Sequence, residues 1–478
     1  MEIKKYVSRY VIPFYYDTED DGYQHICDYF DKGTSNVEAL RLPKDGKWDK
    51  AGFWEKYKSD KENQPEMELY TYLLTIFKED NTEQKEDLTS LGNSYVYKTN
   101  GKLFQCRMAG DDKITFTCKD LGVLLLKNGI GFLWYEIEFS SQGITLEEYI
   151  DFQCNFKELA RTNTTKFERK GYSEEEKMAI YEPFCLGKWL TAFLSCKENG
   201  IRFWSERSIS AEDGKEIIPD KALLFQYLFV DEALENDYDN LAFRVANGYD
   251  MKYNAPSDIA SHIYKPFGNM HFYISKAGMS CVVSNEGSNE KFFADQFREK
   301  FIRDYFYIYV LLCYQSYSCA HYSRLLTKLP ADEKSFRTDS VFMDRLETLD
   351  SQVNLFLVKS VFNSVSNVHH QNEVYHYGKE VLCVNDDIQS LTIGLEALRD
   401  IERDKNDREV NNAISYFGLL VIISTLFDGV SLIDWLANTI SGGKLSIRMF
   451  GYGGIIILVI LFAIHLLKVL VKNKKDDK

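Results

Sequence analysis

Two long apolar stretches near the end of the chain interrupt the mixed pattern that precedes them. Residues 413–433 carry one charged side chain, Asp428, and residues 451–471 form the second stretch. Each is long enough to cross about 30 Å of hydrocarbon at about 1.5 Å per residue. We therefore expect a two-helix transmembrane hairpin over residues 412–471, although a buried helical hairpin in a soluble core would share this pattern.

The first part of the chain, residues 1–288, has the pattern of an α+β domain. Asn-Gly pairs at residues 100–101 and 128–129 separate apolar runs, as does Ala277-Gly278, and each predicts a β-hairpin. Apolar residues recur at helical spacing over residues 146–160, which predicts a helix there.

From residue 289 onward the pattern becomes helical, which predicts long stalk helices over residues 289–411. Residues 305–319 are apolar and aromatic, but this stretch is too short to span a membrane. A last helix is expected to run from about residue 385 into the first apolar stretch, followed after the hairpin by a basic tail, 472–478. Its coiled-coil-like seam consists of Ile388, Leu391, Leu395 and Leu398.

Charge and cysteine content narrow the classes of function. The net charge of −15 argues against general nucleic-acid binding, which needs clustered Lys and Arg. Ten cysteines form no CxxC pair, which indicates scattered thiols in a reducing compartment rather than a zinc site. The first residues lack a signal-peptide pattern, so most of the chain is expected to be cytosolic.

The distribution of basic residues predicts the orientation in the membrane. Four Lys or Arg residues lie shortly before the first apolar stretch and four follow the second, whereas the connector 434–450 has two. The positive-inside rule then keeps both termini in the cytoplasm, as a multi-pass protein of the inner (cell) membrane.

Polar residues in the first apolar stretch are candidate pore residues. Asp428 and Ser431 both fall within about 40° of Ser424 on a helix, so the three form one polar stripe. Copies of the stripe around a shared axis would line a hydrated passage that favours cations. Alternatively, Asp428 lies near a membrane edge, or is protonated and hydrogen-bonded between helices.

The stretch 408–433 resembles the stalk-to-pore segment of the CorA family of divalent-cation channels, and the order of stalk, span, short loop, span and basic tail is similar. Transporting members of that family carry a Gly-Met-Asn signature after the first span. This chain has WLANTISGG at residues 435–443 instead. The departure counts against selective magnesium uptake.

Four further stretches resemble the CorA-like proteins that are associated with type III CRISPR systems: residues 128–139, 149–159, 303–326 and 362–382. The resemblance implies a homo-oligomeric effector that a nucleotide second messenger, an S-adenosylmethionine–AMP conjugate, opens during antiviral defence, with ion leakage or membrane disruption. A transporter of magnesium or another divalent cation is one alternative. A membrane-anchored enzyme acting on a nucleotide signal is another.

Residues 367–376 hold the remaining candidate side chains. His369, Glu373 and His376 share one helical face and could hold a divalent cation, although surface or interhelical hydrogen bonding fits the same pattern. The candidate contacts to the nucleotide ligand are Asn367, His370 and Asn372. We find no phosphate-binding loop, nucleophile elbow or HExxH motif, and therefore expect no enzyme and no resident cofactor.

Overall fold

A computed structural model describes most of the first 400 residues and a few beyond them. The described residues are 3–18, 21–32, 43–44, 47–48, 53–56, 68–70, 73, 76, 90–98, 105–109, 111–140, 144–160, 167–173, 178–211, 214–230, 237–285, 289–328, 340–400, 411, 414–418 and 421.

The described part contains sixteen strands, twelve of which form one large sheet. In chain order they are β1 (Ile3–Tyr15), β2 (Pro43–Lys44), β3 (Lys47–Trp48), β4 (Phe53–Lys56), β5 (Gly92–Lys98), β6 (Gln105–Met108), β7 (Asp111–Leu126), β8 (Ile130–Phe139), β9 (Phe167–Ser173), β10 (Met178–Pro183), β11 (Arg202–Phe203), β12 (Glu206–Ala211), β13 (Gly214–Pro219), β14 (Leu223–Val230), β15 (Met270–Ser275) and β16 (Gly278–Ser284).

The large sheet has the order β10-β9-β6-β7-β8-β1-β14-β16-β15, with β11 beside β1 and β4 beside β5, which pairs with β7. Two separate ribbons are formed by β2-β3 and β12-β13. Among the described pairs, only β14 and β16 are parallel. The central strand β1 is buried on both faces from Val7 to Phe14, which explains its nearly continuous apolar sequence.

Two of the three predicted hairpins are confirmed. β7 and β8 are joined at residues 127–129, where Gly129 has a φ of 83°. Asn128 has no positive φ, so the connection is a three-residue loop closed by a left-handed glycine instead of the expected tight turn with two positive φ angles. β15 and β16 are joined by a two-residue loop, since Ser275 pairs with Gly278.

The turn predicted at residues 100–101 lies outside the described residues, and the strands on either side of it, β5 and β6, do not pair with each other. β5 and β6 both pair antiparallel with β7, β5 with residues 122–126 and β6 with residues 111–117. They therefore lie one after the other along the same edge of β7. The Asn-Gly signal is local, whereas a 16-residue strand offers enough edge for two partners.

The helices are α1 (Gly22–Asp31), α2 (Leu146–Phe156), α3 (Leu186–Phe193), α4 (Tyr238–Asn247), α5 (Phe306–Thr327), α6 (Ser340–Ser360) and α7 (His369–Val381). A 3₁₀ turn covers Ile259–His262. The predicted helix at 146–160 is α2, which ends four residues earlier. It begins with a capping box: the Thr145 hydroxyl accepts from the Glu148 N–H, and the Glu148 carboxylate accepts from the Thr145 N–H.

Helices α1 to α4 supply side chains to a core that covers one face of the sheet. Alternate residues of β1 point to that face: the Tyr10 hydroxyl donates to the Gln153 side chain of α2, and the Tyr10 ring packs on Tyr135 and Phe156. Burial of these aromatic rings is the main stabilising contribution on this side.

The opposite face is covered by a helical run over residues 290–327, which ends in α5. Two π-helical segments, Phe292–Phe297 and Phe301–Tyr305, precede α5. Phe301 stacks on Phe225 of β14 with ring centroids 4.4 Å apart, and the Arg9 guanidinium lies over the Phe306 ring. The run is therefore one layer of a three-layer unit.

The domain boundary expected at residue 288 falls inside a compact unit. This unit comprises residues 1–331 and 344–392, and residues 332–343 and 393–478 form a second unit. The π-helical segments and α5 consequently belong with the sheet, because their aromatic side chains pack against β14.

Residues 384–400 are helical, close to the start expected for the last helix. All four residues of the predicted seam are shielded: Leu391 and Leu395 are buried, and Ile388 and Leu398 are half-buried. Ile393, which lies off the seam, is 57% exposed.

The predicted transmembrane stretches fall almost entirely outside the described residues. Within the part of the chain that the structure describes, no helix is both long enough and apolar enough to cross a membrane. Residues 414–418 and 421, at the start of the first stretch, are helical.

Candidate functional site

The predicted ligand contacts lie at the amino end of α7, where the preceding loop meets the segment 68–70. The Tyr70 N–H donates to the Val365 carbonyl at 3.0 Å, and the Ser366 hydroxyl donates to the Glu68 carbonyl at 2.8 Å. Asn367 is exposed just before the helix.

Asn372 holds this loop in place. Its Oδ1 accepts from the Ser364 hydroxyl and from the N–H groups of Val365 and Ser366 at 2.8–3.1 Å. Its Nδ2 donates to the Ser366 carbonyl at 2.5 Å. A ligand contact at Asn372 would have to displace these bonds, so the geometry assigns this side chain a role in loop structure.

His370 is half-buried between two aromatic rings, with ring centroids 5.9 Å from Phe267 and 6.2 Å from Tyr305. Burial lowers the pKa of His370, and Lys300 adds to this while Glu68 opposes it. Glu68 itself accepts hydrogen bonds from Lys300 and from the Gln371 amide. The charges at this end of α7 are therefore already paired.

No metal centre is found at α7. His369 and His376 are exposed and Glu373 is half-buried. Among the described residues, no group of three His, Cys, Asp or Glu side chains is arranged to hold a metal ion. The predicted pore residues Ser424, Asp428 and Ser431 lie outside the described residues.

A second group of side chains, which we name the Trp204 cluster, gathers where the ends of β1 and β11 meet the β7–β8 loop and α5. Its members are Tyr15, Trp204, Tyr317, His321 and Arg324, which ring and guanidinium contacts join, and Asn128, which a bond to Ser318 of α5 places beside them.

Backbone pairing brings the strand members together. Tyr15 pairs with Arg202 in the β1–β11 ladder. Trp204 follows Arg202 by two residues, and its ring centroid lies 5.3 Å from that of Tyr15. The Tyr16 N–H donates to the Gly129 carbonyl at 2.9 Å, so the β7–β8 loop lies beside the end of β1.

Helix α5 supplies the other members from one face. Tyr317, His321 and Arg324 are spaced four and three residues apart, so they project from the same side of the helix. Trp204 contacts the Tyr317 ring at 5.2 Å and the His321 ring at 6.4 Å. The Arg324 guanidinium lies 3.9 Å from the centre of the Tyr15 ring.

Four buried polar atoms of the cluster have no hydrogen-bond partner among the described residues. They are Asn128 Oδ1, Trp204 Nε1, His321 Nδ1 and Arg324 Nε. The Asn128 amide nitrogen, in contrast, donates to the Ser318 hydroxyl at 3.0 Å. Because a buried polar group without a partner costs about 1–3 kcal/mol, a ligand that bonds to these atoms would recover part of that cost.

The imidazole of the cluster is neutral at physiological pH. Burial lowers the pKa of His321 to about 4, and the cations Arg324 and Lys328 contribute in the same direction against Asp17. The His321 side chain therefore offers one donor nitrogen and one acceptor nitrogen. Nearby, Glu206 is paired with Arg202 at 2.7 Å, which neutralises both charges.

Sequence reasoning did not find this cluster. Tyr15 and Trp204 carry no local signal, and they meet only through the β1–β11 pairing. The stretches 128–139 and 303–326 meet here, through the bond between Asn128 and Ser318. No pattern within either stretch predicts this contact from the sequence.

The chain matches no protein-family model, no curated protein and no solved structure.

Proposed function

We propose that the chain is a homo-oligomeric, CorA-like effector of the inner (cell) membrane, with both termini in the cytoplasm. Its soluble part would bind a nucleotide messenger, the S-adenosylmethionine–AMP conjugate of type III CRISPR antiviral defence. Binding would open a passage for ions, or disrupt the membrane, at the hairpin 412–471.

One observation carries the membrane part of this proposal. The described helical residues at the start of the first apolar stretch expose large apolar side chains: Ile414 is 63% exposed, Phe417 71% and Val421 52%. Exposure of adjacent apolar side chains to water is unfavourable, whereas lipid or further copies of the same helix would cover them. The apolar sequences 413–433 and 451–471 are each of membrane-spanning length.

Gating by a messenger needs a soluble site whose occupancy can alter helices. The Trp204 cluster supports this because half of its members lie on α5, which is bonded to the helices that follow. The Gln315 amide donates to the Ser360 carbonyl at the end of α6 and to the Tyr375 hydroxyl of α7, at 2.7 and 2.8 Å. A ligand that binds one arrangement of α5 more tightly would shift the population of the whole unit.

The test is a leakage assay on the full-length protein in liposomes loaded with a fluorescent dye and, separately, with potassium. We expect the conjugate to open wild-type protein, and Asp428→Asn to weaken the preference for cations, with Asp434→Asn as the matched control nearer the outer surface. Leakage that is identical with and without the conjugate would refute gating. Messenger-independent magnesium uptake would favour a transporter, and turnover of the conjugate would favour an enzyme.

A further inference from the structure

We propose that the Trp204 cluster is the site that binds the adenine base of an adenine nucleotide. The inference deepens the proposed function, on which it rests for the choice of the conjugate as the physiological ligand.

The aromatic rings provide a stacking surface for a flat ligand. Tyr15, Trp204 and Tyr317 are in contact with one another through Trp204, and each is half-buried, so the group reaches the protein surface. Stacking of a base on an aromatic side chain contributes about 1–3 kcal/mol without requiring a particular base.

The unpartnered polar atoms favour flat ligands that can form hydrogen bonds over those that cannot. Trp204 Nε1 and Arg324 Nε are donors, Asn128 Oδ1 is an acceptor, and neutral His321 can be either. A purely apolar ligand would leave all four unsatisfied. Adenine offers both ring-nitrogen acceptors and an exocyclic amino donor, so it can bond to donors and to acceptors.

Displacement of the Arg324 guanidinium from the Tyr15 ring would free a ring face for the base. Its guanidinium occupies the face of the half-buried Tyr15 ring, a contact worth about 0.5–2 kcal/mol. A base that takes over this face exchanges one stacking contact for another of equal or greater strength. The released Arg324 side chain, one turn before exposed Lys328, is then available to a phosphate group.

The charge around the cluster explains why the base, rather than the phosphate, is the part held inside. The cations Arg324 and Lys328 and the anion Asp17 all act on the pKa of His321, and Arg202 is already paired with Glu206. The net positive charge is small, so the site is not a polyphosphate cradle. A nucleotide with one or two phosphates, or a conjugate of adenosine groups, fits this balance better than a polyanion.

The test is a binding titration of full-length protein in detergent with three probes: AMP, S-adenosylmethionine and their conjugate. Trp204→Phe keeps a ring but removes the Nε1 donor, and we expect about fivefold to tenfold weaker binding. Trp54→Phe is the matched control, because Trp54 Nε1 is also buried without a partner among the described residues, but in the core beside α1, against Phe30. That variant should bind as wild type does.

Photolabelling of wild-type protein with 8-azido-AMP provides a measurement that needs no variant, and we expect the label on residues 15–16, 204 or 317–324. Absence of binding by wild type, label elsewhere, or equal affinity of wild type and Trp204→Phe would each overturn the site. If wild type and Trp204→Phe bind with equal affinity while the conjugate still causes leakage from liposomes, the proposed site is wrong and the proposed function stands. If the conjugate binds at the cluster without causing leakage, the site stands and the proposed function fails.

Discussion

Replacing His321 with glutamine should remove a loss of stability that the wild-type protein suffers as the pH falls. The imidazole is 6% exposed and sits beside Arg324 in the Trp204 cluster. Because its pKa is lowered in the folded state, the unfolded chain takes up a proton at a higher pH than the folded chain does. The stability contributed by neutral His321 is therefore fully present above the pKa of the unfolded chain. It declines as the pH falls toward the pKa of His321 in the folded protein.

The magnitude follows from the two pKa values. The pKa of His321 is about 4 in the folded protein, against 6.5 for an unperturbed histidine. With about 1.36 kcal/mol for each unit, the full difference of about 2.5 units corresponds to about 3 kcal/mol. Between pH 7.5 and pH 5.0 the linkage relation gives a loss of about 2 kcal/mol attributable to this residue.

The assay is urea unfolding of full-length protein in detergent at pH 7.5 and pH 5.0, followed by intrinsic fluorescence. The decrease in the free energy of unfolding should be about 2 kcal/mol smaller in His321→Gln than in wild type. His25→Gln, at an exposed position of α1, is the control and should follow wild type. Equal pH dependence of wild type and His321→Gln would show that His321 is not held neutral by burial, and the reasoning about the cluster would fail.

Three other substitutions test the fold. Gly131→Ala should cost about 1–3 kcal/mol in the free energy of unfolding, because a Cβ there would lie 2.2 Å from the Phe14 ring. Arg9→Met should cost about 1–3 kcal/mol, since it removes a partner 3.1 Å from the Glu136 carboxylate, which is 3% exposed and keeps Lys119 at 3.3 Å. Asn372→Ala should cost about 2–3 kcal/mol by leaving the loop donors before α7 without their acceptor.

Each of these has a control in the same urea assay. Gly268→Ala should be neutral within about 0.5 kcal/mol, because nothing lies within 4 Å of a Cβ at that position. Glu136→Gln added to Arg9→Met should restore part of the loss, since the buried charge disappears. Exposed Asn367→Ala should match wild type, and a loss equal to that of Asn372→Ala would contradict the assignment of the loop bonds.

Local signals predicted several elements correctly because their causes are local. The capping pair Thr145 and Glu148 marks the start of α2, and the glycine of Asn128-Gly129 supplies the left-handed φ that closes the β7–β8 loop. The leucine spacing over residues 388–398 likewise marked the shielded side of a helix.

Pairings between distant strands escaped the same reasoning. Asn100-Gly101 carries the same turn signal as Asn128-Gly129, yet β5 and β6 pair with β7 rather than with each other. The aromatic run at residues 305–319 is too short to span a membrane and too apolar to face water. Only the structure shows which sheet face it covers, through the contacts of Phe306 and Tyr309 with Phe225.

By itself, the sequence determined the kind of chain: an α+β part, long helices after residue 289, and two apolar stretches of membrane-spanning length. These follow from periodicity and composition, which depend on neighbours along the chain. Only the tertiary structure brought Tyr15 and His321 to Trp204, and Asn128 to Ser318, because strand pairing and helix packing join residues that are more than a hundred positions apart. A site made of such contacts has no local signature, and its unpartnered atoms become visible only once the surrounding layers are in place.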